Sequence, residues 1–206
     1  MGADFRWMMC AIDDATLEKV APLFAPPAGV QLDGDQRHAY ERFRDAPETL
    51  LPRRMVSGDG EVRIEAEHAR HFSSLFALRH YKALPGLLGI GGRGMLKFLS
   101  GETSPVEVLY FSLGAGAAAR LPGFFGNMAI RSEELPDACE RVRDVVARID
   151  DAGWTRARRI ISICSAGEES REHDAEIAEV FASLPSAMEQ ALRSGGHFVS
   201  SAFWLG

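Results

Sequence analysis

The sequence predicts a single α+β domain in which a mixed β-sheet is flanked by helices. Three observations lead to this fold class. Apolar segments of strand length lie near both ends of the chain, amphipathic periodicity marks helices between them, and strands alternate with helices in the C-terminal half. The same alternation leaves an α/β three-layer arrangement open as an alternative. A length of 206 residues suits one large domain, residues 1–206, and no low-complexity linker divides it.

The N-terminal half is predicted to be one strand followed mainly by helices. Residues 5–12 are apolar, and Asp13 or Asp14 can cap the helix that follows. The predicted helices of this half are 13–24, 35–45 and 61–83, and two further helical turns are predicted at 93–99.

The C-terminal half is predicted to alternate between strands and helices. Its strands are predicted at 106–113, 128–131, 159–164 and 197–205. Its helices are predicted at 115–120, 135–152, 165–185 and 187–193. Pro185 is expected to separate the last two helices, and a capping-box pattern beginning at Ser165 is expected to open the first of them.

Two hexapeptides of the same pattern bracket the glycine-rich middle of the chain, at Leu84–Gly89 and Leu121–Gly126. Proline followed by glycine predicts a type II turn, in which the glycine takes a positive φ. The paired apolar residues that follow are interpreted as plugs of the core, because most such side chains are buried. The alternative is that they line an apolar pocket.

Glycines at 114 and 116 follow the predicted strand 106–113, and Ala119 ends a spacing similar to the G-x-G-x-x-G/A dinucleotide pattern. Pro122 and Gly123 would end the next helix sooner than a nucleotide site requires. No cofactor is therefore predicted. The residues retained as a candidate ligand site are Gly114, Gly116, Phe124 and Phe125.

A row of glutamates provides the second candidate site. Glu169, Glu172, Glu176 and Glu179 recur at three- and four-residue steps, so a helix would place them on one face. Ile177, Val180, Phe181 and Leu184 would form a core stripe on the other face. Such a row could dock a basic protein partner, or it could simply be a solvated surface.

Other chemistry is incomplete in the sequence. Cys164 is predicted to end a strand before a capped helix, where a reactive thiolate could form, but the glycines of a nucleophile elbow are missing. Glu65 and His68 have the spacing of a helix-bundle metal site without matching ligands elsewhere, so no metal is predicted. Arg158 and Arg159 belong to a basic cluster beside Trp154, and they either bind bases or pair with acids of neighbouring helices.

Composition narrows the functional class. A net charge of −6 disfavours a nucleic-acid binder, and no uncharged run is long enough to span a membrane. Three cysteines without paired spacing indicate reduced thiols and a cytoplasmic protein, and the arginine-rich, lysine-poor composition indicates a GC-rich bacterial genome. The sequence therefore predicts a non-catalytic bacterial interaction protein, of the immunity, antitoxin or regulatory-subunit kind, that uses the acidic helix face. The alternative is a small ligand- or nucleotide-binding enzyme with its site at Gly114–Gly126.

Overall fold

A computed structural model describes residues 4–24, 95–97, 103–118, 120–123, 126–165 and 170–205. Its strands are β1 (Asp4–Ile12), β2 (Met95–Lys97), β3 (Met128–Ile130) and β4 (His197–Leu205). Its helices are α1 (Asp14–Phe24), α2 (Pro105–Leu113), α3 (Ala115–Ala118), α4 (Leu135–Val146), α5 (Asp151–Ser165) and α6 (Asp174–Ser194), with a 3₁₀ turn at Arg171–His173. The predicted helices 35–45 and 61–83, the first hexapeptide, Glu65 and His68 lie outside the described residues. The helical turns predicted at 93–99 are wrong for Met95–Lys97, because these residues pair with β1 as strand β2.

The described strands form one sheet in the order β2-β1-β4-β3, and every pair in it is antiparallel. Strands β1 and β4 pair along their full length, from Asp4 opposite Leu205 to Ile12 opposite His197. The α+β class is confirmed, whereas the mixed sheet is wrong for these strands. The segments 106–113 and 159–164, which were predicted as strands joined to others by helices, are themselves helical, so the parallel crossovers that a mixed sheet needs are not formed.

The sheet is covered on both faces. Trp7, Met9 and Phe198 belong to the larger hydrophobic cluster, which includes buried residues of α2, α4, α5 and α6. The alternate residues Met8 and Val199 belong to a second cluster with α1. Because successive side chains of a strand point to opposite faces, β1 and β4 serve both clusters at once.

Helix α2 replaces the strand predicted at 106–113. Pro105 occupies the start of the helix, where its missing N–H is not needed, and Ser104 precedes it in an extended conformation. Val106, Val108 and Leu109 are all fully buried, so the helix is apolar on nearly every side. Periodicity cannot distinguish such a short, completely buried helix from a buried strand.

Helix α5 likewise replaces the strand predicted at 159–164 and contains Gly153, which was expected to end a helix. The predicted helix 135–152 instead ends at Val146, and Asp150 accepts a hydrogen bond from the Gly153 N–H at 2.9 Å as α5 begins. A Cβ at Gly153 would lie 2.8 Å from the carbonyl oxygen of Ser112. The glycine thus allows α5 to approach α2 closely.

Helix α6 continues through Pro185, where a break was predicted. Leu184 and Met188, on either side of the proline, are both fully buried. Their burial holds the helix together across the one hydrogen bond that proline removes. The expected capping box at Ser165 is also wrong, since Ser165 ends α5 and the Ser170 hydroxyl accepts the Glu172 N–H at 3.2 Å instead.

Several predicted features are confirmed. Strands form at 4–12, 128–130 and 197–205. The Asp13 carboxylate accepts the Thr16 N–H at 2.8 Å at the start of α1. Hydrogen bonds with the Thr16 side chain and then with this N–H lower the pKa of Asp13. Gly123 has a φ of 74°, as the proline–glycine turn requires.

Candidate functional site

The glutamate row lies on the outer side of the 3₁₀ turn and α6. Glu172 and Glu179 are exposed, Glu176 is half-buried, and Glu169 lies outside the described residues. The predicted core stripe behind them is buried: Ile177, Val180, Phe181 and Leu184. We call Glu172, Glu176 and Glu179 the acidic face. Its orientation follows from the helical period, because the apolar stripe fixes which side of α6 meets the core.

Helix α5 anchors the beginning of α6. The Arg158 guanidinium donates to both carboxylate oxygens of Asp174, at 2.7 Å and 3.0 Å, and holds the pKa of that carboxyl below its usual range. The same guanidinium lies 5.8 Å from the ring centroid of Trp154, and this ring meets Phe181 edge-on at 5.1 Å. Arg158 therefore pairs with an acid of a neighbouring helix, which is the second of the two roles considered for the basic cluster.

His173 contacts two residues of the acidic face. His173 Nδ1 lies 3.3 Å from a carboxylate oxygen of Glu176, and its Nε2 lies 3.5 Å from one of Glu172. The side chain of Glu172 is nevertheless 73% exposed, so solvent screens this contact.

The two candidate ligand residues that the structure describes, Gly114 and Gly116, lie at the junction between α2 and α3. Gly114 ends α2 with a φ of 76°, and Gly116 lies within α3, while Phe124 and Phe125 lie outside the described residues. The Arg156 guanidinium donates to the carbonyl oxygens of Phe111 and Ser112 at 2.9 Å and 2.6 Å, satisfying the end of α2. The strand that a dinucleotide-binding turn requires before Gly114 is therefore a helix, and the nucleotide interpretation loses its structural context.

A buried polar cluster, which the sequence analysis did not find, holds Gly126 at the end of the second hexapeptide. The Gly126 carbonyl accepts from the Ser200 hydroxyl at 2.6 Å and from the Trp7 indole N–H at 3.2 Å, and that indole N–H also lies 2.7 Å from the Ser200 oxygen. The Gly126 N–H donates to the Tyr110 hydroxyl at 2.9 Å, and burial raises the pKa of Tyr110. The backbone N–H and carbonyl of Gly126 are therefore both hydrogen-bonded within the core, and neither lies at the rim of an open pocket.

A cleft of about 400 Å³ opens where β1 ends and β4 begins, and sequence analysis missed it as well. Its polar lining comes from Asp13, Asp14, Ser132, Ser194 and His197. The His197 side chain is only 8% exposed, and its Nε2 lies 2.7 Å from the Asp14 carboxylate. The Ser132 N–H donates to its Nδ1 at 2.8 Å. Because Nδ1 accepts, Nε2 carries the proton and donates to Asp14, so both ring nitrogens are engaged.

The thiol hypothesis also changes. Cys164 lies inside α5 near its end and does not follow a strand, so the nucleophile-elbow arrangement is wrong. Burial raises the pKa of Cys10 to about 11 and raises that of Cys139 as well. Both of these thiols therefore stay protonated near neutral pH.

Comparison with known proteins identifies no relative: no family model, no curated protein and no solved structure matches this chain. Within the described ranges, no three metal-ligating side chains lie close enough together to hold an ion. None of the described helices has the length and apolar character needed to cross a bilayer.

Proposed function

We propose that this chain is a non-catalytic interaction protein of the bacterial cytoplasm that binds a basic protein partner through its glutamate row: Glu169, Glu172, Glu176 and Glu179. The observation that carries the proposal is the exposure of Glu179 on the side of α6 opposite its buried stripe, together with the exposure of Glu172 on the 3₁₀ turn just before that helix. Immunity and antitoxin-like proteins and regulatory subunits illustrate the class by physical analogy.

The energetics of the row support a partner of opposite charge. Like charges three and four residues apart oppose helix formation by about 0.2–0.5 kcal/mol per pair. A basic surface that docks on the acidic face removes this repulsion and also accelerates encounter through long-range attraction. Binding therefore relieves a cost that the chain bears when it is alone.

The contacts that hold α6 against α5 support a preorganised docking face. The two bonds between Arg158 and Asp174 fix the start of the helix, and the Trp154–Phe181 contact fixes it two turns further on. A helix held in this way loses little conformational freedom when a partner binds. The acidic face is thus presented on a rigid element.

Reversing the two exposed charges is expected to weaken partner binding by about tenfold or more, the effect of losing a few favourable charge contacts. The double variant Glu172→Arg/Glu179→Arg leaves Glu176 and the buried stripe in place. The measurement is quantitative capture of cytoplasmic proteins on the immobilised chain, followed by titration of the recovered basic protein.

A matched control separates a docked face from net charge. Glu18 and Glu140 are also exposed, on α1 and α4, so Glu18→Arg/Glu140→Arg changes the net charge by the same amount elsewhere. We expect this variant to bind as the unaltered chain does. Equal weakening by both variants, or recovery of no basic protein by the unaltered chain, would contradict the proposal.

The competing ligand- or nucleotide-binding function at Gly114–Gly126 predicts a different result. A ligand that binds only the native form raises the melting temperature. At a ligand concentration of about a hundred times its Kd, the free energy of unfolding rises by about 2.7 kcal/mol. With the helix α2 before Gly114, we expect no rise with adenine nucleotides or flavins in a thermal-shift measurement. A rise that a bulky substitution at Gly116 abolishes would favour the ligand-binding function instead.

A further inference from the structure

One buried imidazole joins three segments that are far apart in the sequence. His197 begins β4, Ser132 lies in the turn between β3 and α4, and Asp14 begins α1. We propose that His197 is a pH-sensitive latch, which holds the Ser132 turn against the sheet when its ring is neutral and releases that turn when the ring is protonated. This regulatory device is independent of the acidic face.

The chemistry of the latch follows from which atom accepts and which donates. In the neutral ring, Nδ1 accepts the Ser132 N–H and the Nε2–H donates to Asp14. A proton from solvent can add only at Nδ1, where it faces the Ser132 N–H. Two donors cannot bond to each other, so the Ser132 bond is lost. The bond to Asp14 is kept and becomes one between opposite charges, which solvent screens because the Asp14 side chain is 94% exposed. Protonation therefore removes the attachment to Ser132 and keeps the one to Asp14.

The charged groups around the His197 ring are compatible with this loss of the Ser132 bond. Asp13 and Asp14 of α1 are the titratable groups that line the cleft besides His197. From the turn, the Glu133 carboxylate lies 3.4 Å from the Ser132 hydroxyl, and Arg131 precedes it as an exposed residue. The cleft-lining residues of α6 and β1 are uncharged, and the nearby Arg193 is exposed and pairs with Glu189 at 3.7 Å. Asp14 is thus positioned to retain a protonated ring while the turn moves away.

Release of the turn can be measured directly at the Ser132 amide. We expect its hydrogen-exchange protection, corrected for the intrinsic effect of pH, to fall by about tenfold between about pH 8 and about pH 5. The Gly196 amide, which bonds to the Ala191 carbonyl in the same cleft, is the internal control and should keep its protection.

Two substitutions distinguish a latch from a merely structural histidine. In His197→Asn the side-chain oxygen can stand in for Nδ1, so Ser132 should stay protected at both pH values. In His197→Gln the side-chain NH₂ can stand in for the Nε2–H, so Ser132 should exchange quickly at both. The fall in protection must also follow the ¹⁵N titration of the His197 ring in the unaltered chain. Ser132 protection that stays constant while the ring titrates, or that falls together with Gly196 protection, would overturn the proposal.

Discussion

Replacing Gly126 with alanine is expected to destabilise the protein by about 2–5 kcal/mol, through backbone strain combined with overpacking. Gly126 has a φ of 80°, which alanine adopts only at a cost. Its added Cβ would lie 2.8 Å and 2.9 Å from the two methyl carbons of Val106 and 3.3 Å from the Trp7 indole nitrogen. All of these neighbours are buried, so none can move into solvent. Chemical denaturation of both proteins measures the difference in the free energy of unfolding.

Gly195→Ala is the matched control for this prediction. Gly195 has a φ of 70°, close to that of Gly126, but a Cβ there meets no atom within 4 Å. Only the backbone term remains, and we expect a loss of about 1–2 kcal/mol. The difference between the two variants isolates the crowding around Val106. Equal losses would mean that the Gly126 site can relax and that the core is not tightly packed there.

The sequence predicted strands β1, β3 and β4 but assigned the apolar segments 106–113 and 159–164, which are helical, as strands. Strands β1 and β4 were found because strong turn or capping signals bound them, namely Asp13 after β1 and Gly195 before β4. Helices α2 and α5 were assigned as strands because their apolar runs show β-branched residues without a clear polar face. Tertiary burial, which a local pattern does not contain, decided between the two structures.

Of the candidate sites, the acidic face could be predicted from the sequence and the His197 cleft could not. Glu176 and Glu179 could be placed on one face because they share one helix, where a three-residue step is enough. Glu172 lies in the 3₁₀ turn before that helix, although the sequence predicted one helix over 165–185.

The His197 cleft could not be predicted, since His197 is separated by 183 residues from Asp14 and by 65 from Ser132. Its residues meet only because β4 pairs with β1 at one edge and β3 at the other. Antiparallel register creates this site, and register is not visible in a single strand.

The buried cluster around Gly126 leads to the second large effect. Trp7→Phe removes one donor to the Gly126 carbonyl and leaves a small cavity, for an expected loss of about 2–3 kcal/mol. Ser200→Ala removes the other donor, for an expected loss of about 1–2 kcal/mol. In each single variant the carbonyl keeps one partner. The free energy of unfolding of each, by chemical denaturation, supplies the two sides of a double-mutant cycle.

The double variant should lose more stability than the sum of the two single losses. Two terms oppose each other in the cycle. The direct Trp7–Ser200 bond is counted twice in the sum, which makes the sum too large by about 1 kcal/mol. The double variant alone leaves the buried carbonyl without a donor, which costs about 1–3 kcal/mol. The second term is the larger, so we expect an excess of about 1 kcal/mol.

Ser201 provides the control for that cycle. It is as deeply buried as Ser200, but it points to the other face of β4 and donates to Asn127 at 3.0 Å. Trp7→Phe combined with Ser201→Ala shares no hydrogen-bond acceptor, so the two losses should add. An excess in both cycles would indicate general loosening of the core, and an excess in neither would mean that water or the backbone satisfies the Gly126 carbonyl. Only an excess confined to the Trp7–Ser200 pair fits a hexapeptide that is held to the sheet by two hydrogen bonds to the Gly126 carbonyl oxygen.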